Sequence, residues 1–215
     1  MPAKRAVISI LACWAVTLLF APAPARAQTP AESFVQQGTS KAIAILGDKT
    51  LSDAQRQDQV ARLMTSLLDM KRMALFTLGP AVKSARPADL NAFVAAYREF
   101  ALATYEAELG GYSGQTLNVT GSTERAPGDT IVNAVVNDPN DKSDAPAQVS
   151  FRVLDEGQGQ LALVDASVEG VWFTLAQRDD FTGFLGQNGG DVTKLAAHLK
   201  DMAAHVEAGA QARRK

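Results

Sequence analysis

The chain has 215 residues, of which 47% are hydrophobic, enough for one domain with a substantial core. Its formal net charge of −2 argues against nucleic acid as a partner and against electrostatic docking on anionic lipid. The single cysteine, Cys13, excludes an intramolecular disulfide framework.

The first 27 residues have the pattern of a secretory signal peptide. Lys4 and Arg5 precede an apolar stretch, residues 6–20, that is too short to span a bilayer. Ala25–Ala27 matches the A-x-A cleavage pattern, so we expect a mature periplasmic chain from Gln28, with an uncleaved anchor as the alternative. The mature chain of 188 residues would carry a formal charge of −5, because the removed segment has three basic and no acidic residues.

Four helical segments are predicted in the first half of the mature chain. Thr29 and Ser52 each begin a capping box, and Asp69 is placed to cap a third helix. The longest pattern runs from Pro87 to Leu109 and has a wide apolar arc. Such an arc covers a sheet, another helix or an apolar ligand, and ordinary core packing is the default for any one of its residues.

The hydrophobic period then changes from helical spacing to two. Strands are predicted over residues 116–120, 130–137, 148–154 and 160–168, and their short links favour an antiparallel meander. A last helix is predicted from Val192 to about Ala208. The fold class is therefore α+β, a four-stranded antiparallel meander packed against several helices, in one domain over residues 28–210 with a frayed tail at 211–215.

The stretch from Gln160 to Phe184 joins the last strand to the helices that follow. Strict alternation in this strand puts four apolar residues on one face: Ala162, Val164, Ala166 and Val168. Gly170 marks a bend, and the bulky cluster Val171, Trp172 and Phe173 follows it. A short helix is expected to begin near Arg178.

Residues for catalysis or metal binding are few. His198 and His205 are seven positions apart, which is too far for a helical metal site, so no metal and no cofactor is predicted. The carboxylates of Asp165 and Glu169 leave open an acid/base role in an enzyme acting on a lipid or terpenoid. The alternative, which we favour, is an ion pair of Glu169 with Arg178 that ties the bend to the helix.

The run D-x-x-V-E-G-V followed by R-x-x-F resembles the signature of the MlaC family of periplasmic lipid carriers. It is made here by Asp165, Val168–Val171, Arg178 and Phe181. The order of the other elements agrees over about residues 34–199, including Leu78-Gly79 and Tyr112-Ser113-Gly114. Trp172 and the Q-R-x-D-F spelling resemble the branch associated with hopanoid gene clusters, which leaves the ligand open between phospholipid and hopanoid-type lipid.

The resemblance implies a non-enzymatic, monomeric shuttle that holds lipid tails in an apolar cavity between sheet and helices. It implies two partners, an inner-membrane ABC lipid transporter with its substrate-binding subunit and an outer-membrane lipoprotein complex. The residues expected to bind lipid are Phe93, Val94, Tyr97, Ala101, Tyr105, Val132, Phe151, Val164, Ala166, Val168, Val171, Trp172 and Phe173. The residues expected to be architectural are Asp165, Glu169, Gly170, Arg178 and Phe181.

Overall fold

The computed structural model describes residues 27–140 and 146–213. The signal-peptide prediction, apart from its last residue, lies outside these ranges, as do residues 214 and 215. Within them, no helix combines the length and apolarity needed to cross a bilayer.

In the described ranges the chain forms six α-helices, one 3₁₀ segment and five strands. The helices are α1 (Pro30–Gly47), α2 (Asp53–Leu67), α3 (Met70–Thr77), α4 (Pro87–Leu109), α5 (Phe173–Gln187) and α6 (Val192–Arg213), with the 3₁₀ segment at Gly79–Lys83. The strands are β1 (Thr116–Ala126), β2 (Asp129–Asn137), β3 (Ala147–Asp155), β4 (Leu161–Val168) and β5 (Val171–Trp172).

The predicted helix starts are confirmed by their caps. The Thr29 hydroxyl accepts from the Glu32 N–H, and the Glu32 carboxylate accepts from the Thr29 N–H. Ser52 and Gln55 form the same reciprocal pair at α2, and Asp69 accepts from the Arg72 N–H at α3. These caps satisfy N–H groups that the first turn of a helix leaves without partners.

The sheet is a fully antiparallel meander in the order β1-β2-β3-β4-β5, which confirms the predicted α+β class. It has one strand more than predicted, because β5 is only two residues long and its apolar residues give no alternation to read. β1 continues six residues past the predicted Thr120, through a register shift next to Gly121 and a polar stretch. α5 begins at Phe173 and α6 continues to Arg213, so the predicted start near Arg178 and end near Ala208 are both wrong.

A register shift in β4 changes the predicted faces of this strand. Arg152 pairs with Asp165 and Val153 with Leu163, so Val164 is the extra residue of a β-bulge. Leu163 therefore lies on the same face as Ala166, which pairs with Phe151. The strict alternation that grouped Ala162 with Ala166 is wrong, because one inserted residue reverses the face of everything beyond it.

The buried apolar side chains form two separate clusters. The larger joins α3, α4, α5 and α6, and its fully buried members include Phe93, Tyr97, Leu195 and Leu199. The smaller joins α1 to the sheet through Ala31, Val35, Val132 and Val153. The helical layer and the sheet thus each have a packed core of their own.

Candidate functional site

One face of the sheet is mostly apolar, with Ser122, Glu124, Thr130 and Asp155 as its polar residues. The pairing register places on it Leu117, Val119, Val132, Ala134, Val136, Val149, Phe151, Val153, Leu161, Leu163, Ala166 and Val168. The N-terminal half of α1 covers one end of this face, where Ala31 and Val35 pack with Val132 and Val153. That end is the small packed core described above.

The other end of the apolar face is not packed in this way. Leu117, Val136, Val149 and Ala166 are only partly buried and belong to neither cluster, and Val168 is 38% exposed. The strand ends that carry these side chains meet at one edge because the strands are antiparallel. Ligand sites are lined mainly by apolar side chains, so a row of this kind is suited to an apolar ligand.

The hairpin of α1 and α2 lies across this face. At its open end, the Ser122 hydroxyl of β1 donates to Glu32 Oε1 at 2.7 Å. The Asp69 N–H, just past the end of α2, donates to the Leu163 carbonyl of β4 at 2.9 Å. Within the hairpin, Leu67 packs closely on Gly38. The tip of the hairpin then points to the end of the sheet that α1 leaves unpacked.

The hairpin carries its own half-buried apolar side chains outside both clusters. We call these residues together with those of the unpacked sheet end the apolar groove: Ile43, Leu46, Leu63, Met64, Leu117, Val136, Val149, Ala166 and Val168. None of the four helical members is among the residues predicted to bind lipid, because an apolar position on a helix predicts burial without saying against what.

A cavity of about 170 Å³ lies at the tip of the hairpin, where α1, α2 and the end of α4 meet; we call it the rim cavity. Its walls are mostly polar. They are formed by Leu46, Asp53, Arg56, Gln57, Val60, Glu106, Gly110 and Tyr112. None of the thirteen residues predicted to bind lipid is among them.

The structure places the predicted lipid-binding residues of α4 in the helical core. Phe93 and Tyr97 are fully buried and Ala101 is 2% exposed. Phe93 and Tyr97 meet the Phe181 ring edge-on at 6.2 and 6.5 Å, and the Tyr97 hydroxyl donates to Gln177 Oε1 at 2.8 Å. Val94 and Tyr105 are partly buried against the same core. Burial raises the pKa of Tyr105 to about 12, and the nearby Asp165 charge adds to the shift.

The predicted lipid-binding residues of the sheet are spread over three environments. Val132 and Phe151 belong to the cluster under α1. Val164 is buried at the bulge, while Ala166 and Val168 lie in the apolar groove. The other three predicted residues flank the start of α5. Val171 is 59% exposed, Phe173 is 38% exposed and Trp172 is half-buried.

Asp165 joins β4 to the start of α5. Its carboxylate is 8% exposed and accepts from the Thr174 N–H at 3.0 Å, the Thr174 hydroxyl at 2.7 Å and the Ala166 N–H at 2.9 Å. Because N–H groups in the first turn of a helix lack intrahelical partners and carry positive charge, a carboxylate there stabilises the helix start. This explains why α5 begins at Phe173 without a capping side chain of its own.

Glu169 and Gly170 form a two-residue turn between β4 and β5. Val168 pairs with Val171, and the φ angles of Glu169 and Gly170 are 49° and 81°. Positive φ at both positions is what a type I′ hairpin turn requires. The Glu169 carboxylate accepts from the Gln148 N–H at 2.6 Å, which ties the turn to β3.

The predicted ion pair between Glu169 and Arg178 does not form. The Arg178 guanidinium instead lies 5.1 Å from the centre of the Phe76 ring, against Gly79. The cause is the early start of α5, which directs Arg178 towards α3 and not back to the turn. A cation over an aromatic face is stabilising, so Arg178 still links two helices.

The described residues contain no cluster of three His, Cys, Asp or Glu side chains that could hold a metal ion. His198 stacks on Phe184 at 4.7 Å, and His205 Nδ1 lies 2.6 Å from the Asp201 carbonyl. Both histidines are exposed on the outer side of α6. The carboxylates proposed for acid/base chemistry, Asp165 and Glu169, are occupied by backbone and hydroxyl donors.

The fold and its groove define a class, an α+β domain in which a helical hairpin lies over the apolar face of a meander. The family model described as MlaC protein matches residues 36–201, and the chain belongs to the MlaC family. A solved structure from Ralstonia solanacearum, described as a phospholipid-binding protein in complex with a phospholipid, has the same fold with a TM-score of 0.70. It is 20% identical, and the match covers 82% of this chain and 98% of that one.

Proposed function

We propose that this protein is a lipid carrier that holds the acyl chains of a phospholipid in the apolar groove. The observation that carries the proposal is the row of half-buried apolar side chains, from Leu117 to Val168, that neither core covers. Family membership and the fold shared with a phospholipid-binding protein support it. Each methylene removed from water contributes about 0.8 kcal/mol, which makes such a groove a favourable place for a lipid tail.

The carrier would work in the periplasm after removal of residues 1–27. It would exchange lipid with an inner-membrane ABC transporter, through its substrate-binding subunit, and with an outer-membrane lipoprotein complex. N-terminal sequencing of the protein from a periplasmic extract tests this location, with Gln28 as the expected first residue. A membrane-bound product that still begins at Met1 would contradict it.

The apolar groove is tested by placing a bulky side chain in it. Val149→Trp places an indole on the apolar face, while Gln148→Trp adds the same group at the exposed neighbouring position on the opposite face. Lipid extracted from each purified protein is identified and counted by mass spectrometry. We expect the Val149 variant to lose lipid and the Gln148 variant to keep it. Equal lipid content in folded samples of both would overturn this site.

The alternative of an enzyme acting on a lipid or terpenoid finds no support in the site geometry, because the Asp165 carboxylate is buried at the start of α5 and Glu169 lies in an exposed turn. Lipid that is bound and recovered without conversion is the result that the carrier proposal expects. The same extraction also distinguishes phospholipid from hopanoid-type lipid, since the two differ in mass and in phosphorus content.

A further inference from the structure

Exposed apolar side chains are concentrated at the β4–β5 turn and the start of α5. Among the described residues, five large hydrophobic side chains are exposed, and four of them lie within residues 168–175. We call these four the turn patch: Val168, Val171, Phe173 and Leu175, with exposed fractions from 38% to 59%. Single exposed apolar residues are ordinary on a protein surface, whereas a contiguous group of them indicates an interaction site.

The four side chains of the turn patch adjoin one another. Val168 pairs directly with Val171 across the turn, so the two lie side by side on one face of the sheet. Phe173 follows Val171 by two positions of extended chain, which places it on the same side, and Leu175 lies in the first turn of α5. Val168 is also a member of the apolar groove, so the turn patch continues the groove to the protein surface.

The turn patch has no basic side chain of its own for an anionic partner. The single charged residue within residues 168–175 is Glu169, and its carboxylate accepts from the Gln148 N–H. Arg178, the next basic residue along the chain, lies against Phe76 and Gly79. A partner of this surface is therefore bound through apolar contact, which depends little on salt.

The turn patch is too small for a stable protein dimer. Since a whole aromatic side chain buries 150–250 Å², the exposed fractions of the four residues amount to on the order of 300 Å². Each side of a standard protein interface buries about 800 Å². A lipid bilayer needs no complementary protein surface, and binding to it increases with the apolar area that is buried. Half-buried Trp172, between Val171 and Phe173, is of the residue type that is enriched at membrane–water interfaces.

Resting on the proposed carrier function, we propose that the turn patch docks the protein on the surface of a zwitterionic lipid bilayer, with Val171, Phe173 and Leu175 entering the membrane interface. The groove residue Val168 then lies at the membrane surface. An acyl chain that passes between the bilayer and the groove stays in contact with apolar side chains, which keeps its methylenes out of water.

The fluorescence of Trp172 tests this docking. The sequence has two tryptophans, Trp14 and Trp172, so removal of residues 1–27 leaves Trp172 alone. The mature protein is mixed with phosphatidylcholine vesicles, with or without bromine on the acyl chains, at low and at high salt. We expect the emission to shift to shorter wavelength and bromine to quench it at both salt concentrations. Emission that vesicles leave unchanged would overturn the docking proposal.

Lipid held in the groove is distinguished from lipid of the bilayer by separating the protein from the brominated vesicles. Quenching that comes from docking is lost on separation, whereas quenching by bound lipid stays with the protein. We expect most of the quenching to be lost. Quenching that survives in full would overturn docking and leave the carrier proposal standing. Vesicle-dependent quenching by a protein that never contains lipid would contradict the carrier proposal alone.

Variants locate the contact on the protein. Val171→Ser/Leu175→Ser changes two exposed positions and should weaken binding in vesicle flotation roughly tenfold or more, because it removes apolar area from the contact. Ile131→Ser, at a partly buried position on the opposite face of the sheet, is the control and should bind like the wild type. Equal flotation of the double variant and the wild type would overturn the assignment. So would a dimer, seen by sedimentation without vesicles, that the double variant abolishes, because the patch would then bind a second copy of the chain.

Discussion

The two carboxylate oxygens of Asp165 bind Thr174 at two points, its backbone N–H at 3.0 Å and its hydroxyl at 2.7 Å. Nine residues separate the partners, and between them lie the turn and the short strand β5. The pair therefore fixes the start of α5 against β4. The position of Phe181, which packs on Phe93 and Tyr97 in the helical core, depends on that start.

Asp165→Ala should therefore lower the free energy of unfolding by about 3 kcal/mol, because it leaves two buried Thr174 donors without an acceptor. Asp165→Asn keeps one acceptor oxygen and should lower the free energy of unfolding by less. Urea denaturation followed by circular dichroism measures both. Asp179→Ala, at an exposed position of α5, is the control and should leave the midpoint unchanged. Equal midpoints for all three variants would contradict the role of Asp165.

The β4–β5 turn gives a comparison between two glycines. Gly170 has a φ of 81° and open space around a would-be Cβ, so its requirement is conformational and not steric. An L-residue in this region costs about 1–2 kcal/mol, and Gly170→Ala should be destabilising by that amount. Gly183 lies inside α5, also with open space, so Gly183→Ala should stabilise by about 0.5–1 kcal/mol. Thermal unfolding should therefore show a lower melting temperature for Gly170→Ala and a higher one for Gly183→Ala than for the wild type. A stabilised Gly170 variant would refute the turn geometry.

An ion pair across β2 and β3 should make stability depend on pH. Arg152 donates to both Asp129 oxygens, at 3.0 and 2.9 Å. Hydrogen bonds from Arg152 are the main cause that lowers the pKa of Asp129, and desolvation opposes them in part. Because the folded pKa is the lower one, this stabilisation is complete above the unfolded pKa of about 3.9 and is lost as the pH falls through the folded value.

Asp129→Asn should thus lower the free energy of unfolding by about 1 kcal/mol at pH 7, a modest value because the pair is partly exposed to solvent. The difference from wild type should shrink as the pH is lowered below 4. Urea denaturation at pH 7, 4 and 3 measures it, with the exposed Glu124→Gln on β1 as the control. A difference that stays constant down to pH 3 would exclude a titrating pair.

The sequence predicted the elements whose signal is local and missed those set by distant residues. The capping boxes at Thr29 and Ser52 lie within four residues each, and both were predicted. The start of α5 depends on Asp165, a cap supplied from another strand, and it was misplaced. The bulge at Val164 cannot be recognised in a strand whose consecutive residues are mostly aliphatic, so the faces of β4 could not be assigned from the sequence pattern alone.

The same reasoning applies to the site. An apolar arc predicts burial but does not say against what, and the arc of α4 is used in packing against α3, α5 and α6. The proposed groove uses residues that are half-buried outside both cores, such as Ile43 and Val149. They share only partial burial and a place outside both cores, which depends on how the α1–α2 hairpin packs on the sheet. No spacing in the sequence encodes that packing.

The chain has three tyrosines, and two of them should resist ionisation in the folded protein. Burial raises the pKa of Tyr97 well above its ordinary value, and it raises that of Tyr105 to about 12. The negative charge of Asp165 acts in the same direction on both. Tyrosinate absorbance at 295 nm should therefore show at most one ionised tyrosine at pH 11 in folded protein, and three in urea.

The raised pKa values of Tyr97 and Tyr105 also determine how the free energy of unfolding changes at alkaline pH. Below the ordinary tyrosine pKa of about 10 both states keep these protons, and the stabilising contribution is complete. As the pH rises from 10 towards the folded values, the unfolded state loses protons first, so the free energy of unfolding must fall. Tyr105→Phe should remove part of this fall. Three tyrosines ionising together near pH 10, with the circular dichroism still that of the folded protein, would show that solvent reaches the α4 core.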